Sequence, residues 1–189
     1  VRYADDAILG FENKETAEKV LEALKKRFAK FGLELHPEKT RLIYIGKPKP
    51  GSGTKPGSFD FLGFTHFWGK SFKGNWVIKR KTASKKLREK LIKMNEWCRN
   101  NRHIPVKEQH KKLTQKLKGH YGYYGITGNM KGLQRFLNHV RRIWKKWLCR
   151  RSWRGNRLNW ERFQQMLNEY PLPPATVVHS IYKRSEAIT

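Results

Sequence analysis

The sequence predicts an α+β chain, with a small antiparallel sheet carrying one helix in front and a helical bundle behind. Three observations predict it. Two apolar stretches around Tyr3 and Ile8 flank the adjacent carboxylates Asp5 and Asp6, the pattern of a β-hairpin with acids at or beside its turn. Ala17, Val20, Leu21, Leu24, Phe28 and Phe31 then recur at helical spacing. From Thr82 onward, several further apolar stripes follow the same 3.6-residue period.

Taken in order, Asn13 is positioned to cap the first helix and Gly32 to stop it. Leu33–Leu35 and Arg41–Gly46 read as short strands around a His36-Pro37-Glu38-Lys39 turn, giving the order ββαβ. Residues 47–58, KPKPGSGTKPGS, have the composition of a flexible connector or a long loop. Phe59 to Trp68 is a dense aromatic strand, paired as a hairpin with Trp76-Val77-Ile78. The helices that follow carry Leu87, Leu91, Met94 and Cys98; then Val106, His110, Leu113, Leu117 and Tyr121. Next come Leu133, Phe136, Leu137, Val140, Trp144 and Leu148, with Gly128-Asn129 as the cap, and finally Trp160, Phe163 and Leu167 after Asn159. The expected division is 1–80, 81–174 and a tail at 175–189 without pattern.

Charge is unevenly placed. The chain of 189 residues carries a formal +27, with 42 Lys and Arg against 15 Asp and Glu. Residues 1–46 hold nine basic and eight acidic residues, a net of +1, which leaves +26 for residues 47–189. Ten Phe, seven Trp and seven Tyr are interleaved with the basic residues. A solubilising surface explains neither the asymmetry nor the aromatics, so the partner expected is nucleic acid. Arg150, Arg151, Arg154 and Arg157 cluster enough to contact RNA phosphate, and Lys85, Lys86, Arg88, Lys90 and Lys93 cover much of the first bundle helix. The Trp residues 144, 147, 153 and 160 read as core or interface before base-stackers. Cys98 and Cys149 lie in no metal-ligand spacing and read as free thiols in a reducing compartment. No signal peptide and no apolar run of membrane-spanning length is present, so secretion and membrane insertion are not expected. The chain begins with Val inside an expected strand, and is read as part of something longer.

An isolated Asp-Asp pair is usually a solvated turn. Beside a large basic aromatic region, two carboxylates at a hairpin tip instead suggest Mg²⁺-dependent phosphoryl transfer on nucleic acid, because carboxylates are hard oxygen ligands. Tyr3-Ala4-Asp5-Asp6 between apolar strands resembles the Tyr-x-Asp-Asp signature of reverse transcriptases. Phe59–Phe67, centred on Phe61-Leu62-Gly63-Phe64, resembles the primer-grip hairpin of that family. Gly119-His120-Tyr121-Gly122-Tyr123-Tyr124-Gly125 with Gly128-Asn129 resembles the maturase segment of group II intron reverse transcriptases; Arg150-Arg151-Ser152, Trp160, Phe163 and Tyr170-Pro171-Leu172-Pro173 resemble its end.

The resemblance implies the second half of a reverse-transcriptase palm followed by an all-α thumb, or domain X. Asp5 would be a Mg²⁺ ligand and Asp6 a supporting one, both counted as catalytic. Tyr3 and Ala4 would lie against primer–template or incoming dNTP, and Phe61, Leu62 and Gly63 against the primer backbone. Lys85, Lys86, Arg88, Tyr121, Tyr124, Arg150, Arg151 and Arg154 would contact RNA, although His120, Tyr121, Tyr123 and Tyr124 read equally well as packing at a glycine-broken helix end. The implied activity is RNA-directed DNA synthesis on an RNA template with a DNA primer, together with splicing of a group II intron RNA, in a bacterial cytoplasm or an organelle. The family's further palm Asp and its fingers are not in this sequence, since Asp60 sits in the primer-grip-like hairpin. The chain alone is therefore expected not to polymerise, and no endonuclease spacing follows Pro174. Two other readings remain: a maturase-type RNA-binding splicing cofactor that does not polymerise, and another bacterial reverse transcriptase, which the Gly119–Asn129 stretch disfavours.

Overall fold

A computed structural model describes residues 1–48, 57–152 and 158–181. The chain is mixed α and β and divides into two compact units. One holds residues 1–62 and 66–78, and the other residues 63–65 and 79–189. Gly63–Thr65 group with the residues from 79 onward. Of the expected connector at 47–58, residues 49–56 lie outside the described residues.

In the first unit, β1 (Arg2–Tyr3) pairs antiparallel with β2 (Asp6–Ala7), Arg2 opposite Ala7 and Tyr3 opposite Asp6. The ends are closed by reciprocal bonds, Ile8 N–H to Val1 O and the Val1 amine to Ile8 O, both 2.7 Å. Helix α1 (Lys14–Ala29) follows. Asn13 is its N-cap residue, but its side chain makes no capping bond. The other end stops as expected. Gly32 takes φ +68, and the Leu33 N–H bonds back to Phe28 O while Gly32 N–H bonds to Ala29 O, the paired bonds of a glycine-terminated helix.

The expected strands at 33–35 and 41–46 are corrected: neither is a strand. A period-2 apolar pattern makes a strand only when a neighbour supplies the ladder bonds, and among the described residues neither segment lies in a paired strand. Leu33, Leu42, Ile43 and Tyr44 consequently face solvent. The stripe on α1 is similarly only half covered: Ala17 is buried, Val20, Leu21, Leu24 and Phe28 are half-buried, and Phe31 is exposed.

The aromatic stretch from Phe59 to Trp68 is not one strand but two. β3 (Ser58–Phe61), β4 (Phe64–Lys70) and β5 (Trp76–Thr82) form a three-stranded sheet in that order. Leu62 and Gly63 both have positive φ, +48 and +76, the two-residue turn whose twist suits a hairpin. Glycine at the second position signals this turn, and the leucine before it conceals the signal.

The second unit is the helical bundle: α2 (Ser84–Asn100), α3 (Val106–Tyr124), α4 (Met130–Cys149) and α5 (Trp160–Glu169). Helix α4 packs against α2 and α3. Its expected stripe of Leu133, Phe136, Leu137, Val140, Trp144 and Leu148 is buried throughout, and it meets Met94, Cys98, Leu113, Leu117, Phe163 and Leu167 in one core. Burial pushes the Cys98 thiol up to about 12, so it is an apolar filler rather than a nucleophile. Trp144 is fully buried and donates to Gln109 Oε1 at 2.9 Å. The Gln109 amide donates in turn to Arg102 O and Ile104 O. Asn159 caps α5 as expected, accepting from the Arg162 N–H at 2.9 Å.

The expected patternless tail is docked as far as Ile181. Val178 and His179 N–H both donate to Gly125 O, Thr127 N–H donates to His179 O and Ile181 N–H to Thr127 Oγ1; just ahead of the tail, Pro171 O lies 2.9 Å from His110 Nε2 and Tyr121 Oη donates to Pro173 O. The backbone bonds explain how a stretch with no periodic side-chain pattern is held: apolar periodicity does not report contacts made by the main chain.

Candidate nucleic-acid and metal-binding sites

The β1–β2 turn sets the acidic site. Ala4 takes φ +49, a left-handed conformation that costs a residue with a Cβ on the order of 1 kcal/mol, and Arg2 Nε donates to Ala4 O at 3.0 Å. The strained alanine tightens the turn, placing Asp5 in the turn itself and Asp6 at the first position of β2. Both carboxylates are exposed, as is Tyr3 opposite Asp6. The donor set suits Mg²⁺ in part: it takes one or two protein carboxylates and completes its shell with water or phosphate oxygen. Asp5 and Asp6 supply such a pair, and no group of three or more Asp, Glu, His or Cys occurs among the described residues.

Phe61 closes β3, Leu62 and Gly63 form the turn, and all three are half-buried. Within the helical unit, Gly63 is approached closely by Tyr124: a Cβ on Gly63 would lie 3.0 Å from Tyr124 Oη. Phe64 stacks on Tyr123, with ring centroids 5.9 Å apart.

Two expected RNA contacts are corrected here. Tyr121 and Tyr124 are 3% and 4% exposed and belong to the core. Burial pushes Tyr121 up to about 12, partly opposed by Arg141, and raises Tyr124 as well. Rings in that position pack and do not stack on a base. Helical phase decides the matter, because Tyr121 and Tyr124 fall on the inward stripe while Tyr123 between them is 53% exposed. His120 is also buried, stacked on Phe136 at 3.7 Å between centroids.

The remaining basic residues divide by surroundings. Lys85, Lys86 and Arg88 are exposed on α2, with Lys86 paired to Glu89 at 3.2 Å. Arg150 is exposed and covers the Trp147 ring, whereas Arg151 donates to His103 O at 3.1 Å, a structural bond. Arg154, Arg157 and Trp153 lie outside the described residues. Trp160, read as core or interface, is 56% exposed, with Lys145 over its face at 5.0 Å.

One basic surface was not singled out by sequence reasoning. Lys131, Gln134, Arg135, Asn138, His139 and Arg142 line a shallow concavity of about 370 Å³ on the outward side of α4. Its signal was in the sequence: residues 109–160 contain fourteen Lys and Arg and no Asp or Glu.

A hairpin that exposes two adjacent carboxylates, in a chain with an acid-free basic stretch, is the class of arrangement that nucleic-acid-handling proteins use. The comparisons narrow that class for part of the chain. Residues 1–66 match the family model described as reverse transcriptase (RNA-dependent DNA polymerase). No curated protein and no solved structure matches the chain significantly. No helix among the described residues is long and apolar enough to cross a membrane.

Proposed function

We propose that the chain is the palm–thumb part of an RNA-directed DNA polymerase of the group II intron type, serving also as a splicing maturase in a bacterial cytoplasm or an organelle. One observation carries the reading. Asp5 and Asp6 sit together at an exposed hairpin turn inside the segment that matches the reverse transcriptase family model. The basic helical unit supports a nucleic-acid partner, and the Gly119–Asn129 and Tyr170–Pro173 stretches support the intron-type subdivision.

On this reading Asp5 and Asp6 hold Mg²⁺, which when bound neutralises charge on the reacting phosphoryl oxygens. Two adjacent carboxylates otherwise repel a nucleotide phosphate, so the turn is productive only with a counter-cation. Tyr3 ends β1 and Ala4 opens the turn where primer–template or dNTP would lie, and Phe61 with the Leu62-Gly63 turn would meet the primer backbone. Lys85, Lys86, Arg88 and Arg150 neutralise RNA phosphates. The further carboxylate that the resemblance implies would come from a palm segment outside residues 1–189. The non-polymerising maturase reading is the alternative, favoured by the basic stretch 109–160, which holds fourteen Lys and Arg and no Asp or Glu.

The test is primer extension and intron splicing with a protein that carries this chain together with the upstream palm. Mg²⁺-dependent cDNA synthesis that falls at least a hundredfold in Asp5→Asn, with splicing retained, supports the polymerase reading. Splicing without any synthesis supports the maturase alone. Robust synthesis by residues 1–189 alone contradicts the division of the metal site proposed here.

A further inference from the structure

We propose that the outward face of α4, formed by Lys131, Arg135, His139 and Arg142 with the amides of Gln134 and Asn138, is a docking surface for the phosphodiester backbone of a nucleic-acid duplex. The proposal deepens the nucleic-acid reading of the basic unit and is independent of the polymerase reading. It also adds a surface distinct from the α2 cations.

A charged helix face is ordinarily just solvated, and α1 illustrates how. Its cations are interleaved with acids and form Lys14–Glu18 and Lys25–Glu22 pairs. Helix α4 has no acid anywhere in its twenty residues. Among the described residues no ion pair reaches Lys131, Arg135 or Arg142. Lys131 and Arg135 stand four residues apart on one face, a like-charge spacing that costs an isolated helix roughly 0.2–0.5 kcal/mol. The helix tolerates that cost because its other face is anchored by six buried residues from Leu133 to Leu148. A polyanion laid along the face would reverse the sign of this repulsion.

The geometry suits a backbone rather than a point anion. From Lys131 to Arg142 the face runs about 16 Å at the helical rise of 1.5 Å per residue, long enough to meet several successive phosphates. The six side chains share one face of a single helix with only a shallow depression between them, so a rod would lie along the face rather than in a groove. Gln134 Nε2 donates to Asn138 Oδ1 at 3.2 Å, which orients the two amides between the cations. The Asn138 amide hydrogens can then donate to phosphate or sugar oxygens, and the Gln134 carbonyl can accept from a ribose 2′-hydroxyl. An acidic peptide or an anionic membrane would meet the same charge, but neither needs the regular spacing or the oriented amides.

The experiment uses the full chain and three charge-matched triple variants: Lys131, Arg135 and Arg142→Gln; Lys85, Lys86 and Arg88→Gln; and Lys14, Lys19 and Lys30→Gln. All nine side chains are exposed, and circular dichroism confirms that each variant folds. Binding of a labelled RNA duplex and a DNA duplex of the same sequence is followed by anisotropy across a salt series. The α4 triple is expected to bind at least tenfold more weakly, with the log–log salt slope reduced by about 2 to 3. The α1 triple is expected to bind as the parent does. Whether the loss appears with RNA, DNA or both identifies the backbone read. An α4 triple that weakens no more than the α1 triple overturns the proposal, because net charge then explains everything. If in that case the α2 triple still weakens binding, the broader nucleic-acid reading survives; if no variant and no salt step changes binding, both fail. Loss of binding to anionic vesicles but not to duplexes also overturns the proposal.

Discussion

Asn129 and Thr82 clasp one another across 47 residues of sequence: Asn129 Oδ1 accepts from the Thr82 N–H at 2.9 Å, and Asn129 Nδ2 donates to Thr82 Oγ1 at 2.8 Å. The same amide donates to Tyr124 O, also at 2.8 Å, and Asn129 is 1% exposed. A residue that stands at the N-cap of α4 thus spends its side chain tying the end of β5 to the end of α3 and leaves the α4 backbone uncapped. Asn129→Ala should destabilise the helical unit by about 2–4 kcal/mol, since it strands a buried N–H and a buried carbonyl. Urea unfolding checks this. Asn129→Asp should cost comparably, because a carboxylate has no hydrogens for Tyr124 O and Thr82 Oγ1. Full stability in the Asp variant would mean the clasp is dispensable.

Gly63 offers a second test of local geometry. Its φ of +76 and the approach of Tyr124 Oη both disfavour a Cβ. Gly63→Ala should cost about 1–2 kcal/mol. Pairing it with Tyr124→Phe removes the crowding oxygen, so the double variant should recover part of the loss while the φ penalty persists. Thermal unfolding of the two singles and the double separates these contributions.

His120 makes stability depend on pH. Burial, with a smaller contribution from Lys90, lowers its pKa from the ordinary 6.5 to about 4. Neither ring nitrogen has a hydrogen-bond partner among the described residues. Between pH 6.5 and 4 the unfolded chain therefore takes up a proton that the folded chain refuses. Stability rises with pH across that window and is lost on acidification through it, by at most about 3 kcal/mol. His120→Phe should flatten this part of the profile and hold at least parental stability at pH 5. Identical pH profiles for parent and variant would rule out the buried neutral imidazole as the source.

Asp5 and Asp6 should be silent in folding. Both are exposed at a turn whose backbone bonds do not involve their side chains. Asp5→Asn and Asp6→Asn should change the unfolding free energy by less than about 0.5 kcal/mol. Any loss of catalysis they cause in a longer protein then belongs to chemistry rather than to folding. A large destabilisation would assign these residues a structural role.

Much of the helical unit was legible in the sequence, because a 3.6-residue stripe such as Leu133 to Leu148 needs only an apolar partner, and the neighbouring helices supply several. The placement of Asp5 and Asp6 was legible for a local reason: strand, acid turn and strand lie within eight residues, and reciprocal bonds between Val1 and Ile8 close them. The turn at Leu62-Gly63 was hidden by the leucine before the glycine and by the phenylalanines on either side. The fate of Leu33–Leu35 and Arg41–Gly46 was not legible at all, since a strand depends on a neighbour that no local pattern can supply.

By itself the sequence determined the contrast between a nearly neutral acid-bearing stretch and a basic one, the carboxylate pair, and the core of the bundle. All of these follow from period, turn chemistry and charge along the chain. Tertiary structure alone decided which members of a mixed set face inward. It stacked His120 on Phe136, turned the Asn129 side chain from its own helix to Thr82, and docked the segment up to Ile181 by main-chain bonds. The reason is the same in each case. Burial and hydrogen-bond partnership are properties of neighbours brought together by the fold, and composition and spacing carry only the preference to find them.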